Sequence, residues 1–155
     1  MPASPSPSAQ GLKLQAKDAE DIQVISAILQ DSIVPLCDMT YRPEERCFVM
    51  VAQRLRKETT IENPDAACER ICSAIDIQGV ESVQSHNLDI TQNEGQMLEL
   101  LMMQLEGNIL TLLFSGDSRI RAQLGPWSLR LQDFGEPWPI SCPPCHDRPP
   151  TSQNS

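Results

Sequence analysis

Met97-Leu98-Glu99-Leu100-Leu101-Met102-Met103-Gln104-Leu105-Glu106-Gly107-Asn108-Ile109-Leu110-Thr111-Leu112-Leu113-Phe114 is the stretch that decides the fold. Two apolar runs flank Gly107-Asn108, a dipeptide suited to the primed two-residue turn of a β-hairpin. Only Glu99, Gln104 and Thr111 interrupt the apolar positions. Strands apolar on nearly every position are expected to be central and covered on both faces. The rest of the chain is read outward from this hairpin.

Upstream, residues 80–86 form a weaker strand, joined through a tight turn at Gln78-Gly79 to an alternating strand over 69–77, in which Ile71, Ile75 and Ile77 share a face. Residues 33–41 and 46–55 read as two more strands around Arg42-Pro43-Glu44-Glu45, where Pro43 suits a turn and cannot continue a ladder. In that register Cys37 faces Met50 and Thr40 faces Cys47, so the two thiols do not pair. Before them lies a helix. Asp18 caps it, Asp21 stands three residues later as in a capping box, and Ile22, Ile25 and Leu29 recur at helical spacing. Downstream, Ser115-Gly116-Asp117-Ser118 turns the chain into a strand over 119–124. Gly125-Pro126 then opens a short terminal helix, with Trp127, Leu131 and Phe134 facing inward and Gly135 ending it.

One long helix, about seven strands and a short C-terminal helix define an α+β domain. The N-terminal helix packs on a mostly antiparallel sheet or split barrel. By element count alone, this is the arrangement of a pleckstrin-homology-like barrel. Residues 1–10 and 140–155 are rich in Pro and Ser and poor in large apolar side chains, so they read as tails around one domain at 11–139.

The formal net charge is -9. A chain so acidic is unsuited to a broad nucleic-acid footprint or to an anionic membrane surface. No run approaches a membrane span, and residues 1–10 lack the basic and apolar regions of a secretory signal. The expectation is a soluble cytoplasmic protein whose six cysteines are thiols.

Several segments in order carry a resemblance: Leu12-Lys13-Leu14, Ala19-Glu20-Asp21, Leu29-Gln30-Asp31 and Tyr41-Arg42-Pro43-Glu44-Glu45-Arg46. Phe114-Ser115-Gly116 with Ile120-Arg121, and Asp133-Phe134-Gly135-Glu136-Pro137-Trp138-Pro139, complete the set. Together they resemble a bacterial family of domains of unknown function, number 2948, over most of residues 11–146. The resemblance implies a bacterial single-domain protein with no assigned activity, and it supplies no site residues. The C-terminal thiol pair is not part of that pattern.

Cys142-Pro143-Pro144-Cys145-His146 matches C-x-x-C-H, the attachment string of c-type haem. It lies in a proline-rich tail with no helix to present His146, and neither haem nor a helix-activated redox pair suits that setting. As a metal site, Cys142, Cys145 and His146 need a fourth ligand, which Cys68 or Cys72 supplies only if the tail folds back. The plainer reading is a pair of tail thiols, with no cofactor. Cys68 and Cys72 read as packing cysteines on a strand.

His86 is the one histidine inside the domain, and Asp89 close by makes it a candidate oriented base. No nucleophile signature accompanies it. Arg119 and Arg121 share a strand face after a turn, and Arg54, Arg56 and Lys57 cluster at a strand end. Either group suits a phosphate or carboxylate, or else a solvated face. Trp138 is either an anchor for a partner or a strap over the core. The reading these features support is a non-catalytic module with a protein partner or small anionic ligand, of unknown oligomeric state. The alternative is a small enzyme with a cryptic site at His86 and Asp89, or an anion site at Arg119 and Arg121.

Overall fold

The computed structural model describes residues 11–57, 68–88 and 96–140. Its elements are β1 (Lys13–Ala16), α1 (Ala19–Leu29), β2 (Ser32–Pro35), β3 (Met39–Arg42), β4 (Cys47–Leu55), β5 (Cys68–His86), β6 (Met97–Glu106), β7 (Ile109–Phe114) and β8 (Ser118–Ile140). Single 3-10 turns at Leu36–Asp38 and Pro43–Glu45 flank β3. All strand pairs are antiparallel. Neighbours run β8-β5-β4-β2-β6-β7, and a further β7–β8 pairing closes the ring into a barrel. β1 lies beside β8, and β3 beside β4.

The expected α+β domain with a C-terminal helix is overturned. The protein is mostly β, and α1 is the single α-helix among the described residues. Residues 125–135 belong to β8, where Leu129, Leu131 and Asp133 point inward at period two and Phe134 is 47% exposed. The helical reading took Phe134 for core along with Trp127 and Leu131. A buried aspartate in the inward row disguised a strand.

β5 and β8 are long because each turns a corner of the barrel without ending. Gly79 is the hinge rather than a hairpin turn. It sits at φ +90° in a β-bulge between Gln78 and Ser82. Its N–H and that of Val80 both donate to Arg46 O at 2.9 Å. Arg46 holds a left-handed conformation after the Pro43–Glu45 turn, and Tyr41 Oη donates to Val80 O at 3.1 Å. The Tyr41–Arg46 segment is thus the buttress of the bulge. A Cβ at Gly79 would lie 2.1 Å from Pro126 O, so both the dihedral and the close approach require glycine.

α1 begins as the sequence dictates. Asp18 Oδ1 accepts from Asp21 N at 2.8 Å, and Asp21 Oδ2 accepts from Lys17 N at 3.0 Å. Ile22, Ile25 and Leu29 enter the barrel core. Ser26 Oγ accepts from Met103 N at 2.9 Å, which satisfies a donor on the stretch of β6 that β2 does not reach. Burying each of these three side chains contributes roughly 1.5–3 kcal/mol, so the contact rather than helix propensity holds α1.

At one end the barrel interior turns polar. Asp133 is buried and accepts from Arg54 Nε at 2.9 Å, Arg54 Nη2 at 2.5 Å, Leu12 N at 2.7 Å and Ser73 Oγ. Asp133 N also donates to Leu12 O at 2.9 Å. Burial opposes ionisation of Asp133, but the hydrogen bonds from Arg54, Ser73 and the Leu12 N–H outweigh it and hold the pKa below its ordinary value. One side chain therefore joins the entry to β1 with β4, β5 and β8.

Two expectations follow. Gly79→Ala should lower the unfolding free energy by more than the ~1 kcal/mol of a simple left-handed penalty, because Pro126 must also move; a urea midpoint matching wild type would contradict this. Asp133→Asn should cost about 3–5 kcal/mol at pH 7 by leaving Arg54 buried without its counter-charge. In the wild type, the stabilisation from a depressed carboxylate is full above the unfolded value of 3.8 and is lost as pH falls from there through the folded value. Denaturant titrations at a series of pH values should show that part of the acid slope missing in Asp133→Asn.

Candidate outer-face binding site

The hairpin that decides the fold is not covered on both faces. Gly107 has φ +59° and turns β6 into β7, as expected. Inward residues Leu98, Leu100, Met103, Leu110, Leu112 and Phe114 are buried. Outward, Met97 is 61% exposed, Met102 44% and Leu101 39%. Leu101 is the extra residue of a bulge between Leu100 and Met102, which places consecutive apolar side chains at the surface.

Register then extends this face sideways. Met102 is opposite Leu113, Leu113 opposite Arg119, and Arg119 opposite His86. One row lower, Gln104, Thr111, Arg121 and Gln84 stand side by side. Arg119 and Arg121 are two residues apart on β8, so both point outward with about 7 Å between them. Among the described residues neither has an ion-pair or hydrogen-bond partner. The structure thus joins two candidates that the sequence kept apart, His86 and the Arg119/Arg121 pair, and sets an apolar patch beside them.

His86 is exposed, and Asp89 lies outside the described residues. The nearby Ser118 hydroxyl is buried and donates to Asn87 O at 3.1 Å. Among the described residues nothing reacts with or orients His86 as a base. The second basic cluster is committed to the fold. Arg54 holds Asp133, Arg56 Nη1 bonds Glu69 Oε1 at 2.7 Å, and Lys57 Nζ donates to Ala27 O at 2.7 Å. Arg56 and Lys57 stand at an end of β4 that the flanking strands and α1 already cover, so a basic run at a strand end is here a set of internal partners.

Trp138 is half-buried on β8 opposite Arg70, and Phe134 is opposite Cys72. Among the described residues, the Trp138 side chain is not part of the main core cluster. Arg70 reaches back across β4 to donate to Gln53 O at 2.7 Å and Asp31 O at 3.3 Å.

The cysteines depart from the all-thiol expectation. Cys37, Cys47 and Cys72 are free, but Cys68 is disulfide-bonded. Burial first, then the hydrogen bond and charge of Asp76, push the Cys47 thiol up to about 11, which makes it an inert packing group. The register also differs from that expected, with Met39 opposite Met50 and Arg42 opposite Cys47. Cys142, Cys145 and His146 lie outside the described residues. Among the described residues, no group of three or more His, Cys, Asp and Glu side chains is placed to hold a metal. No described helix is long and apolar enough to cross a membrane.

The segments that carry the family resemblance map largely onto the fold's own needs. Leu12 and Asp133 build the buried polar layer, Tyr41 and Arg46 buttress Gly79, and Asp21 closes the helix cap. Arg121 belongs to the same set and is exposed, with no side-chain partner among the described residues. The outer face itself was hidden in the sequence, because its rows depend on cross-strand register and on the Leu101 bulge.

No curated protein and no solved structure matches the chain. Residues 12–146 match the family described as "Protein of unknown function (DUF2948)", and the chain belongs to that family.

Proposed function

We propose that the protein is a binding module whose outer β6-β7-β8 face receives an acidic segment of a protein partner. The observation that carries this reading is the cross-strand row that sets exposed Met102 beside Leu113 and Arg119, with Arg121 in the next row and exposed Leu101 next to Met102 in the bulge. An apolar patch flanked by guanidinium groups fits a peptide that presents both apolar side chains and carboxylates. The charge of the whole chain sharpens the point. On a chain with a net charge of -9, Arg119 and Arg121 put two guanidinium groups with no acidic partner among the described residues on one face. They steer an acidic segment to that face while the remaining surface repels it. Methionine side chains adapt to varied apolar partners, which suits recognition of a peptide class rather than one rigid surface.

An enzymatic reading lacks comparable support. It needs a base with a partner and a substrate-facing nucleophile, and the described residues place neither beside His86.

Selection from a displayed random-peptide library tests the proposal with a defined probe. Peptides retained by the wild type should be enriched in Asp and Glu near large apolar residues, and their binding should weaken as salt rises. The double variant R119E/R121E should keep its thermal midpoint, since both side chains are on the surface, yet lose those peptides by at least tenfold and favour Lys- and Arg-rich ones. An unchanged peptide preference in the double variant would contradict the assignment of this face.

A further inference from the structure

Barrel closure leaves one side of β5 open. β5 pairs with β4 only over residues 70–78, whereas on its other side it pairs with β8 as far as His86. Beyond the Gly79 bulge, the β4 side of residues 82–86 therefore has no strand beside it among the described residues. Asn87, at φ +65°, ends the stretch. Ser82, Gln84, Ser85 and His86 are exposed, and Val83 is half-buried against the core.

Strand alternation fixes which backbone groups this edge offers. Leu124 N donates to Asn108 O at 2.8 Å, so Leu124, Ala122 and Ile120 turn their backbone groups to β7. Gln123, Arg121 and Arg119 then turn theirs to β5, where their partners are Ser82, Gln84 and His86. The N–H and C=O groups of Val83 and Ser85 are left pointing out of the open edge. Such groups are a template for a further strand, and edges that must stay bare are commonly blunted by Pro or Lys. Residues 82–86 contain neither, whereas Pro137 and Pro139 stand near the end of β8.

The open edge also lies beside the cations of the outer face. A strand added there would extend two existing rows, one through Gln84 and Arg121 and the other through His86 and Arg119. Neighbouring strands lie about 4.8 Å apart, so its outward positions would stand roughly 10 Å from the two arginines, within the combined reach of a guanidinium and a carboxylate side chain. Its inward positions would stand beside Val83 and Ser85, where an apolar side chain covers Val83. Glu81, the one carboxylate in residues 80–87, packs over Gly125 next to the bulge and outside both rows.

We propose that the partner's acidic segment binds as an added β-strand along residues 82–86 of β5, held by the backbone of Val83 and Ser85, with alternate carboxylates turned to His86, Arg119 and Arg121. The acidic character of the segment rests on the function proposed for the outer face; the strand geometry is a separate claim. Backbone pairing supplies affinity, and the outward rows select carboxylates at every second position.

The probes are synthetic copies of the acidic peptides that the wild type retains from the displayed library. Ser85→Pro removes an edge N–H but no ladder bond of the barrel, so its thermal midpoint should stay near that of the wild type while its affinity for these peptides falls at least tenfold. Ser85→Ala keeps the N–H and should bind as the wild type does. Residue-resolved amide exchange on the full wild-type chain is a second readout that needs no variant. Saturating peptide should slow exchange at Val83 and Ser85. Unchanged exchange at both amides with peptide bound, or a folded Ser85→Pro that binds like the wild type, would overturn the added strand. If R119E/R121E still loses the peptides in that case, the acidic-segment reading stands without it. If the wild type retains no acidic peptide, both fall.

Discussion

A carboxylate and a guanidinium share the interior of this barrel, and much of the remaining structure is arranged around them. Each ion alone would carry a desolvation penalty of several kcal/mol. Together, with Ser73 and the Leu12 N–H completing the acceptor positions of Asp133, they are stable and permit little variation in placement. Apolar contacts tolerate sliding; a buried pair with four directed bonds does not. It fixes the register of β4, β5 and β8 relative to one another and fastens the segment before β1. Gly11 belongs to the same constraint, since a Cβ there would lie 2.3 Å from Asp133 Cβ.

The bulge at Gly79 is the complementary device away from this polar layer. The long β5 and β8 pair over most of their lengths, and a flat two-stranded ribbon of that size would not close a ring. Gly79 bends the ribbon, and Arg46 and Tyr41 hold the bend. Beyond it, residues 82–86 and 119–123 swing round to meet β7. That closure brings His86, Arg119 and Arg121 beside the outward side chains of β6 and β7. The candidate binding face is thus a consequence of barrel closure, whereas the buried pair is its precondition.

The parts legible in the sequence were those coded locally. Asp18 and Asp21 announced the helix start, and Gly107-Asn108 announced the β6–β7 turn. Misreadings arose where tertiary structure overrode a local signal. Gly79 looks like a hairpin residue, and only the long-range approach of Pro126 makes it a bulge. Residues 125–135 look helical because Trp127, Leu131 and Phe134 recur at helical spacing, while the real inward row is Leu129, Leu131 and the disguised Asp133. Arg54 looks like a surface cation because its partner lies 79 residues away. The candidate residues Arg119, Arg121 and His86 were each visible, but their neighbourhood was not, since cross-strand adjacency is absent from the linear order.

A double-mutant cycle on Arg54 and Asp133 tests the central claim most directly. Unfolding free energies would be measured by urea denaturation at pH 7 for wild type, Arg54→Met, Asp133→Leu and the double variant. The account predicts that each single change costs about 3–5 kcal/mol and that the double change costs far less than their sum, since no buried charge is left alone. Additive losses would contradict it: the two residues would then act independently, and the barrel would depend on its apolar core rather than on the pair.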